Sequence, residues 1–318
     1  MIDAISQALA TDGCAVTVLE ATEDFPQKLL AAAPDIVFNI AEGVTGRDRE
    51  AQAPAILDYY GIPYTGSDAA TLAVSLDKAL TKRIAQSCGV STPEFWVIDQ
   101  GEQAAAAGPA ALAQTPGDPI PGELSDALTF PVLVKPNAEG SSKGISEGSV
   151  ATNIEQLRAL IATGCARYGQ DLLVERYVEG REFTVAVLGN GSEACVLEPM
   201  EIRFRAHRGD FDVYGYEVKQ NFRDYVTYEC PPDLAPEQVA RLKRDAQQIY
   251  RVLGCRDMAR VDFRLQQDET PAFIEINPLP GLAPGYSDFV ILAAHNGLAY
   301  DDLIRGILRA ACKRSGLL

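Results

Sequence analysis

The chain has 318 residues, 47% of them hydrophobic and 23% charged, an ordinary balance for a folded protein of two or three packed units. This composition excludes a largely disordered chain. The net charge of −16, without any run of basic residues, argues against nucleic acid and anionic membranes as partners.

The seven cysteines are scattered, odd in number and form no CxxC pair, which is typical of small core residues in a reducing compartment. No stretch approaches ~18 consecutive apolar residues, and no signal-peptide pattern is present. We therefore expect a cytoplasmic protein. The two histidines, His207 and His295, lie far apart in sequence, which disfavours a histidine-rich metal site.

Helix and strand patterns alternate at the start of the chain. Helices are predicted at 2–10, 26–33 and 50–60, and strands at 15–19 and 36–40. This alternation predicts a small doubly wound α/β domain. Because such a unit normally opens on a strand, we expect its first strand and loop to be either missing from this sequence or unrecognised at its start.

A further helix is predicted at 78–87, capped by Asp77 or Ser75. Lys78 occupies its first turn, where the helix dipole disfavours a cation. The ordinary interpretation is a lysine that faces solvent, but its unfavourable placement makes Lys78 a position of interest. Residues 99–129 are rich in Ala, Gly and Pro, which predicts a linker with a weak helix at 103–114.

The segment FPVLVKPNAEGSSKGIS, at 130–146, reads as a buried strand followed by a glycine- and serine-rich loop. Backbone N–H groups of such a loop can wrap phosphate oxygens, and Lys135 adds a charge at its root. The alternative is an ordinary turn, since the P-loop pattern GxxxxGK[ST] is absent.

After a predicted helix at 154–162, strands are predicted at 172–178 and 182–188. Glu175 interrupts the apolar run of the first, and Glu182 begins the second. Such acids are often hydrated, but in a nucleotide cleft they can accept hydrogen bonds from adenine and ribose. Residues 198–230 are polar and weakly periodic, which predicts a long loop carrying Lys219, either a functional lid or disordered. Helices are predicted at 234–253 and 300–313.

The most informative stretch is ARVDFRLQQDETPAFIEINPLPG, at 259–281, which reads as a hairpin. The period of two sets Arg260 and Asp262 on one face of the first strand, and Glu275 and Asn277 on one face of the second, with Ile274 opposite. If the hairpin closes near 268–269, Asp262 lies across from Glu275 and Arg260 across from Asn277.

Facing carboxylates repel each other unless a cation lies between them, and oxygen ligands indicate magnesium or manganese rather than zinc. The alternative is a polar face that is merely hydrated. The rigid Pro278-Leu279-Pro280-Gly281 turn favours binding, because such loops often carry binding groups. A hard cation held by few carboxylates usually also holds nucleotide phosphates.

Five motifs in this order resemble the ATP-grasp superfamily: LDKALTK, VLVKPNAEGSSKGIS, LLVERYVEGREFTVAVL, ARVDF and EINPLPG. GIPYTGS before LDKALTK narrows the resemblance to the D-alanine–D-alanine ligases, and it covers roughly Phe38 to the C-terminus. The implied fold is α/β and α+β, with a doubly wound N-terminal domain at 1–96, a central lobe at 97–190 and a C-terminal lobe at 191–318 that clasp ATP. The implied reaction is ATP-dependent amide formation, in which a carboxylate takes the γ-phosphate and an amine attacks the acyl-phosphate.

The resemblance also assigns roles residue by residue. For catalysis it implies Arg260, Lys219 and Ser141, and for two magnesium (or manganese) ions it implies Asp262, Glu275 and Asn277. For ATP it implies Lys78, Lys135, Ser142, Glu175, Val178 and Glu182, and for the substrates Glu42, Gly281, Tyr286 and Ser287.

The departures from the family fall on the amino-acid side. The chain begins after the position of the glutamate that holds the first substrate's ammonium group. Glu42 stands where the family has a histidine, and Arg47 replaces an acid. Gln220 replaces the tyrosine after the mobile-loop lysine, and Tyr286 aligns with the serine that binds the second substrate's carboxylate, with Ser287 one place on. ATP binding is therefore better supported than D-alanine as substrate.

Three hypotheses follow. The first is a carboxylate–amine ligase joining small amino acids, and the second is a D-alanine ligase proper with unusual side chains in its pocket. The third is a nucleotide-binding protein without ligase activity. Family members are commonly homodimers through the N-terminal domain, so the resemblance also implies a homodimer.

Overall fold

The computed structural model describes residues 1–100, 128–140, 144–205 and 210–318. The predicted linker helix at 103–114, the serines Ser141 and Ser142, and His207 lie outside the described residues.

The described α-helices are α1 (Ile2–Thr11), α2 (Phe25–Ala32), α3 (Gln52–Tyr60), α4 (Ala69–Leu76), α5 (Lys78–Ser87), α6 (Ile154–Tyr168), α7 (Tyr216–Gln220), α8 (Phe222–Tyr225), α9 (Pro236–Val252), α10 (Asp288–His295) and α11 (Tyr300–Arg314). The described strands are β1 (Phe95–Ile98), β2 (Val132–Pro136), β3 (Val150–Ala151), β4 (Leu172–Arg176), β5 (Glu182–Leu188), β6 (Cys195–Val196), β7 (Met200–Phe204), β8 (Val226–Glu229), β9 (Met258–Leu265) and β10 (Pro271–Asn277). None of the helices in these ranges combines the length and apolarity needed to cross a bilayer.

The N-terminal helices are confirmed, but the strands predicted between them are not. Residues 15–19 form no strand, and the strand predicted at 36–40 is reduced to one parallel bridge between Val37 and Tyr64. Val16 and Val18 are 39% and 55% exposed. A strand is stabilised by its neighbours' hydrogen bonds and by a buried face, and these valines have neither in the described structure.

Two antiparallel sheets carry the rest of the molecule. The smaller has the order β1-β4-β2-β3, and the larger has the order β10-β9-β5-β7-β8 with β6 beside β5. Helix α6 covers the smaller sheet through Leu157 and Ile161. Helix α9 covers one face of the larger sheet through Leu242 and Ile249, against Val261 and its neighbours. On the opposite face of the larger sheet, Met258 packs with Phe289 of α10 and Ile304 of α11 in a second core. Farther along the same face of β9, Arg260, Asp262 and Arg264 line a cavity.

The segment at 198–230 is not the long loop that its composition predicts. It contains β7 and β8, which pair antiparallel, and the short helices α7 and α8 between them. The strand β7 was not predicted because the polar residues Glu201 and Arg203 interrupt its hydrophobic alternation. In the structure these two side chains form an ion pair. The prediction also missed α4, α10 and β1.

Helix α5 illustrates a prediction confirmed in detail. Asp77 is its N-cap and accepts a hydrogen bond from the backbone N–H of Leu80 at 3.0 Å. The cap fixes the direction of the first turn and so aims Lys78 toward the larger sheet, where it meets β10.

Candidate active site

A cavity lies between the two sheets. Its wall includes eight residues of the predicted site: Lys135, Glu175, Val178, Glu182, Lys219, Arg260, Asp262 and Glu275. These residues are up to 140 positions apart in the chain, since the first is 135 and the last 275. The tertiary structure thus gathers the predicted nucleotide, reaction and metal residues into one cleft.

The hairpin of β9 and β10 has the predicted register. Asp262 pairs with Glu275, and Arg260 pairs with Asn277. The prediction for Ile274 is wrong, because a bulge between Phe273 and Glu275 shifts the alternation and Ile274 lines the cavity. The extra residue of a bulge re-aims side chains, here placing an apolar surface beside the carboxylates.

Each hairpin carboxylate has a cationic partner. Arg260 donates from Nη2 to Asp262 Oδ2 at 2.8 Å, and Thr184 donates from Oγ1 to Asp262 Oδ1 at 2.7 Å. Lys78 Nζ lies 3.2 Å from Glu275 Oε2 and is 7% exposed, so the interpretation of Lys78 as a solvent-facing lysine is wrong.

Charge, rather than burial, decides the protonation of Glu275. Burial alone would raise its pKa, but the neighbouring charges of Lys78 and Lys135 outweigh burial and lower it. Arg260 acts in the same direction. The carboxylate is therefore ionised and can serve as an oxygen ligand.

Three buried charged side chains, linked by two ion pairs, lie at the part of the cavity wall that is predicted to bind the nucleotide. Lys135 Nζ pairs with Glu175 Oε1, and Lys82 Nζ pairs with Glu175 Oε2 at 3.0 Å. Burial raises the pKa of Glu175, yet the two lysine charges reverse this and hold its pKa at about 2. Burial lowers the pKa of Lys82 to about 8. Lys82 also donates to Thr92 Oγ1 at 2.9 Å, so it holds Glu175 from behind while Lys135 faces the cavity.

Arg264 holds two other residues of this part of the cavity wall. Its Nε and Nη2 donate to Glu182 Oε2 at 3.1 and 2.8 Å, and its Nη1 donates to the carbonyl of Val178 at 2.9 Å. The guanidinium lies over the ring of Tyr177, 5.3 Å from its centroid. Glu182 and Val178, the residues predicted for ribose and adenine, are thus positioned by one side chain.

Lys219 enters the cavity from helix α7, in the segment between β7 and β8. Burial and the nearby Arg260 lower its pKa, while Asp288, Glu275 and Asp262 raise it. The net effect is a pKa below the usual value of lysine, with burial as the largest cause.

The hairpin residues suit a hard cation shared with phosphates. Among the described residues, no three His, Cys, Asp or Glu side chains gather into a complete cage. Magnesium is usually held by one or two carboxylates and completed by waters and substrate phosphates, so Asp262 and Glu275 match its chemistry. Asn277 Oδ1 accepts a hydrogen bond from the backbone N–H of Leu279 at 3.0 Å, which holds the amide at the end of β10.

The predicted substrate residues lie outside this cavity wall. Glu42 is exposed, and Tyr286 packs edge-on against Phe222 of α8 with ring centroids 6.1 Å apart. Ser287 Oγ accepts from the backbone N–H of Ala283 at 3.0 Å. A Cβ on Gly281 would approach Ser287 Oγ to 2.8 Å, so a larger residue there would displace the Ser287 side chain.

Sequence reasoning missed four polar residues that the structure places in or beside the cleft: Lys82, Arg264, Asp288 and Glu50. Two signals were present. Arg264 continues the alternation of Arg260 and Asp262, and Lys82 follows Lys78 by one helical turn. Glu50 and Asp288 gave no local signal. Burial raises the pKa of Glu50 to about 7, despite the nearby Arg49.

Comparison with known proteins identifies the family. The family described as "D-ala D-ala ligase C-terminus" matches residues 84–309. The "Uncharacterized protein y4sG" of Sinorhizobium fredii is 35% identical over 294 residues, covering 91% of this chain and 78% of that protein. The "D-alanine--D-alanine ligase" of Bordetella petrii is 34% identical over 310 residues, covering 97% of this chain and 86% of that protein.

The fold is shared with solved structures. The D-alanine–D-alanine ligase of Bacillus anthracis, solved in complex with ATP, superposes with a TM-score of 0.75 at 21% identity. The superposition covers 99% of this chain and 92% of that one. This likeness confirms the predicted ATP-grasp fold, whereas the predicted domain boundaries stay a prediction.

Proposed function

The chain belongs to the D-alanine–D-alanine ligase family, and from that premise we propose that it joins two small amino acids through an acyl-phosphate, with the cleft residues in the roles given below. Family membership makes it an ATP-dependent ligase that forms a peptide bond. The identity of the two amino acids and the residue roles are the proposed part.

The observation that carries the proposal is the convergence of cations and carboxylates beside an apolar wall. Leu133, Val178 and Ile274 line the cavity together with Lys135 and Glu275. An apolar slot with few polar groups suits a purine base, and the adjoining charges suit a polyphosphate.

On the nucleotide side, Glu175 and the backbone of Val178 would bind the adenine edge, and Glu182 would accept from the ribose hydroxyls. Lys78 and Lys135 would bind phosphate oxygens, exchanging part of their pairing with Glu275 and Glu175 for the ligand. Asp262, Glu275 and Asn277 would hold magnesium, whose charge offsets that of the transferring phosphoryl group.

On the reaction side, Arg260 and Lys219 would stabilise the negative charge of the acyl-phosphate and of the tetrahedral intermediate. Preorganised cations in a cleft closed to water stabilise such charge more than they would in bulk solvent. Closure also protects the acyl-phosphate, because water competes with the amine for its acyl carbon.

We propose small amino acids without naming D-alanine, because Glu42 and Tyr286 depart from the family on the amino-acid side. On the nucleotide side, by contrast, Lys135, Glu175, Val178 and Glu182 of the predicted set line the cavity.

The test is ADP release with ATP and magnesium against single and paired D- and L-amino acids, with mass spectrometry of the products. We expect one or a few pairs to yield a dipeptide with one ADP per amide bond. Tight ATP binding without turnover in any mixture would instead support the nucleotide-binding hypothesis.

A further inference from the structure

An arginine of the N-terminal part of the chain contacts the residues that follow β2, here named the loop root, at 137–140. Arg49 begins the short 3-10 turn that leads into α3. Its Nη1 donates to the carbonyl of Ala138 at 3.0 Å, and its Nη2 donates to Glu139 Oε2 at 3.3 Å. The Arg49 side chain is only 11% exposed. Its planar fork thus holds two consecutive residues of the loop root at once.

A glutamine holds the same two residues through other atoms. Gln170, which follows α6, accepts at Oε1 from the backbone N–H of Ala138 at 2.9 Å. Its Nε2 donates to Glu139 Oε1 at 3.1 Å. Arg49 and Gln170 therefore each take a different oxygen of the Glu139 carboxylate. Because both oxygens are held, the backbone of Glu139 has little freedom to rotate.

The carbonyl of Glu139 is in turn an acceptor for a lysine proposed to bind phosphate. Lys78 Nζ donates to this carbonyl at 2.6 Å and lies 3.2 Å from Glu275 Oε2. Glu275 is proposed to bind the metal, so its pairing with Lys78 weakens when nucleotide and metal arrive. The Glu139 carbonyl has no such second role and stays available to the ammonium group. Arg49 therefore acts on Lys78 through one intervening residue.

The backbone of Lys78 is fixed separately from its side chain. Its N–H donates to the carbonyl of Asn137 at 3.1 Å, and the N–H of Ala79 donates to Asn137 Oδ1 at 2.9 Å. These bonds do not involve Arg49, so they remain when Arg49 is removed. The freedom that Lys78 would then regain lies in its four-carbon side chain. Loss of Arg49 should therefore displace the ammonium group and leave the start of α5 in place.

We infer that Arg49 is a positioning residue for ATP, which through Glu139 fixes the ammonium group of Lys78 where phosphates would bind; the inference rests on the proposed function. A flexible lysine that is ordered before the ligand arrives loses less rotamer entropy on binding. Arg49 itself would touch neither the nucleotide nor the metal. Its removal should therefore weaken the phosphate contact and leave the base and ribose contacts unchanged.

The test compares ATP with adenosine, which has the same base and ribose but no phosphates. In Arg49→Met we expect the Kd for ATP with magnesium to rise about tenfold, while the Kd for adenosine stays within about twofold. Competition against labelled ATP measures both constants. An equal rise for the two ligands would overturn the inference, because a merely structural role would disturb the whole cleft. An unchanged Kd for ATP would overturn it as well.

A double-mutant cycle tests whether Arg49 acts through Lys78. Lys78→Met should raise the Kd for ATP about 30-fold, and adding Arg49→Met should raise it by no more than about twofold further. A further tenfold loss would show that Arg49 acts independently of Lys78 and would overturn the inference.

The cycle also separates failure of the inference from failure of the proposed function. A loss in Lys78→Met without a loss in Arg49→Met would overturn the inference alone. No loss in Lys78→Met would overturn the phosphate role of Lys78 in the proposed function, and the inference with it.

Two further variants guard against an effect on folding. Arg256→Met is the matched control, because Arg256 Nη2 lies 2.7 Å from Asp68 Oδ2 and also joins the N-terminal helices to a later part of the chain. Its Kd for ATP should stay within about twofold, and a rise equal to that in Arg49→Met would overturn the inference. Glu139→Ala removes the acceptor of Arg49 but keeps the backbone carbonyl that holds Lys78. We expect a rise in the Kd for ATP of about three- to fivefold, with adenosine unchanged. An unchanged Kd for ATP in Glu139→Ala would overturn the inference even if Arg49→Met failed to fold.

Discussion

The two halves of the cleft balance their charges differently. On the nucleotide half, Glu175 lies between two lysines, and Glu182 is held by Arg264. On the N-terminal side, Glu50 is largely buried and burial raises its pKa to about 7, with Glu42 and Glu275 adding to the effect of burial. The carboxylates of the nucleotide half are thus paired with lysine and arginine side chains. On the N-terminal side, Glu50 lies close to other carboxylates and tends to keep its proton.

This difference separates a preorganised site from one that is adjusted by its ligand. Paired charges need little reorganisation when a nucleotide arrives, since their geometry is already fixed by partners. A half with surplus acid gains when a cationic group, such as a substrate ammonium, enters it. Two of the sequence departures from the family, Glu42 and Arg47, also belong to that second half.

The largest effect on activity is expected from removing a proposed metal ligand of the hairpin, Glu275. Glu275→Gln keeps the size of the side chain but loses the carboxylate proposed to hold the metal. We expect metal-dependent ADP formation to fall about 10³-fold or more, because phosphoryl charge is then poorly offset. Initial rates over a range of magnesium concentrations measure it.

Glu269→Gln is the matched control, since Glu269 lies in the exposed turn of the same hairpin. Its rate should stay within twofold of the unaltered protein. Full activity of Glu275→Gln would refute the metal assignment.

The two lysines paired with Glu175 should have different roles, one in ATP binding and the other in stability. Lys135→Met removes the partner that lines the cavity, and we expect KM for ATP to rise about 30-fold, or about 2 kcal/mol. Lys82→Met removes the partner behind it. Leaving a buried carboxylate with one cation should lower the free energy of unfolding by about 3 kcal/mol, while KM for ATP rises less than threefold.

Steady-state kinetics and urea unfolding separate these outcomes. If Lys82→Met raises KM for ATP as much as Lys135→Met does, the division into a cavity-facing and a supporting lysine is wrong.

Arg264→Met should have a smaller effect on the same half. Glu182 and the Val178 carbonyl would lose their common donor, and we expect KM for ATP to rise about 5- to 10-fold, or about 1 to 1.4 kcal/mol. Arg181→Met is the control, because Arg181 also forms a two-nitrogen pair, with Glu201 at 2.7 and 2.6 Å, but away from the cavity. Titration of ATP binding by calorimetry measures both variants, and similar losses in the two would contradict the role of Arg264.

The smallest effect is a pH dependence on the acidic half. The folded protein holds a proton on Glu50 up to about pH 7, whereas the ordinary pKa is 4.5. Between these pH values the folded state binds more protons than the unfolded state, so stability should fall as pH rises. Because Glu50 is partly exposed, we expect a change of about 1 to 2 kcal/mol.

Glu50→Gln should flatten this slope, and the exposed Glu23→Gln should not. Urea unfolding between pH 4.5 and 7.5 in metal-free buffer measures it. A slope that persists in Glu50→Gln would assign the proton to another group.

The sequence alone determined the elements whose information is local. The cap and direction of α5, the amphipathic helices and the facing pairs of the β9–β10 hairpin follow from residues a few positions apart, or joined by one short turn. Alternation with a period of two also placed the hairpin's charged side chains on one face. The motifs predicted the nucleotide residues, and the structure brings four of them, Lys135, Glu175, Val178 and Glu182, to one cavity.

The tertiary structure decided what depends on distant neighbours. The strands at 15–19 and 36–40 failed to form a sheet because no ladder buries them, while β7 and β8 formed because they pair with each other and with β5. The bulge at Ile274 and the contact of Lys82 with Glu175 depend on which strands and helices become neighbours. So does the contact of Tyr214 with Asp288, 74 residues apart, because an ion pair or a buried hydrogen bond is specified by packing and leaves no periodic signal in the chain.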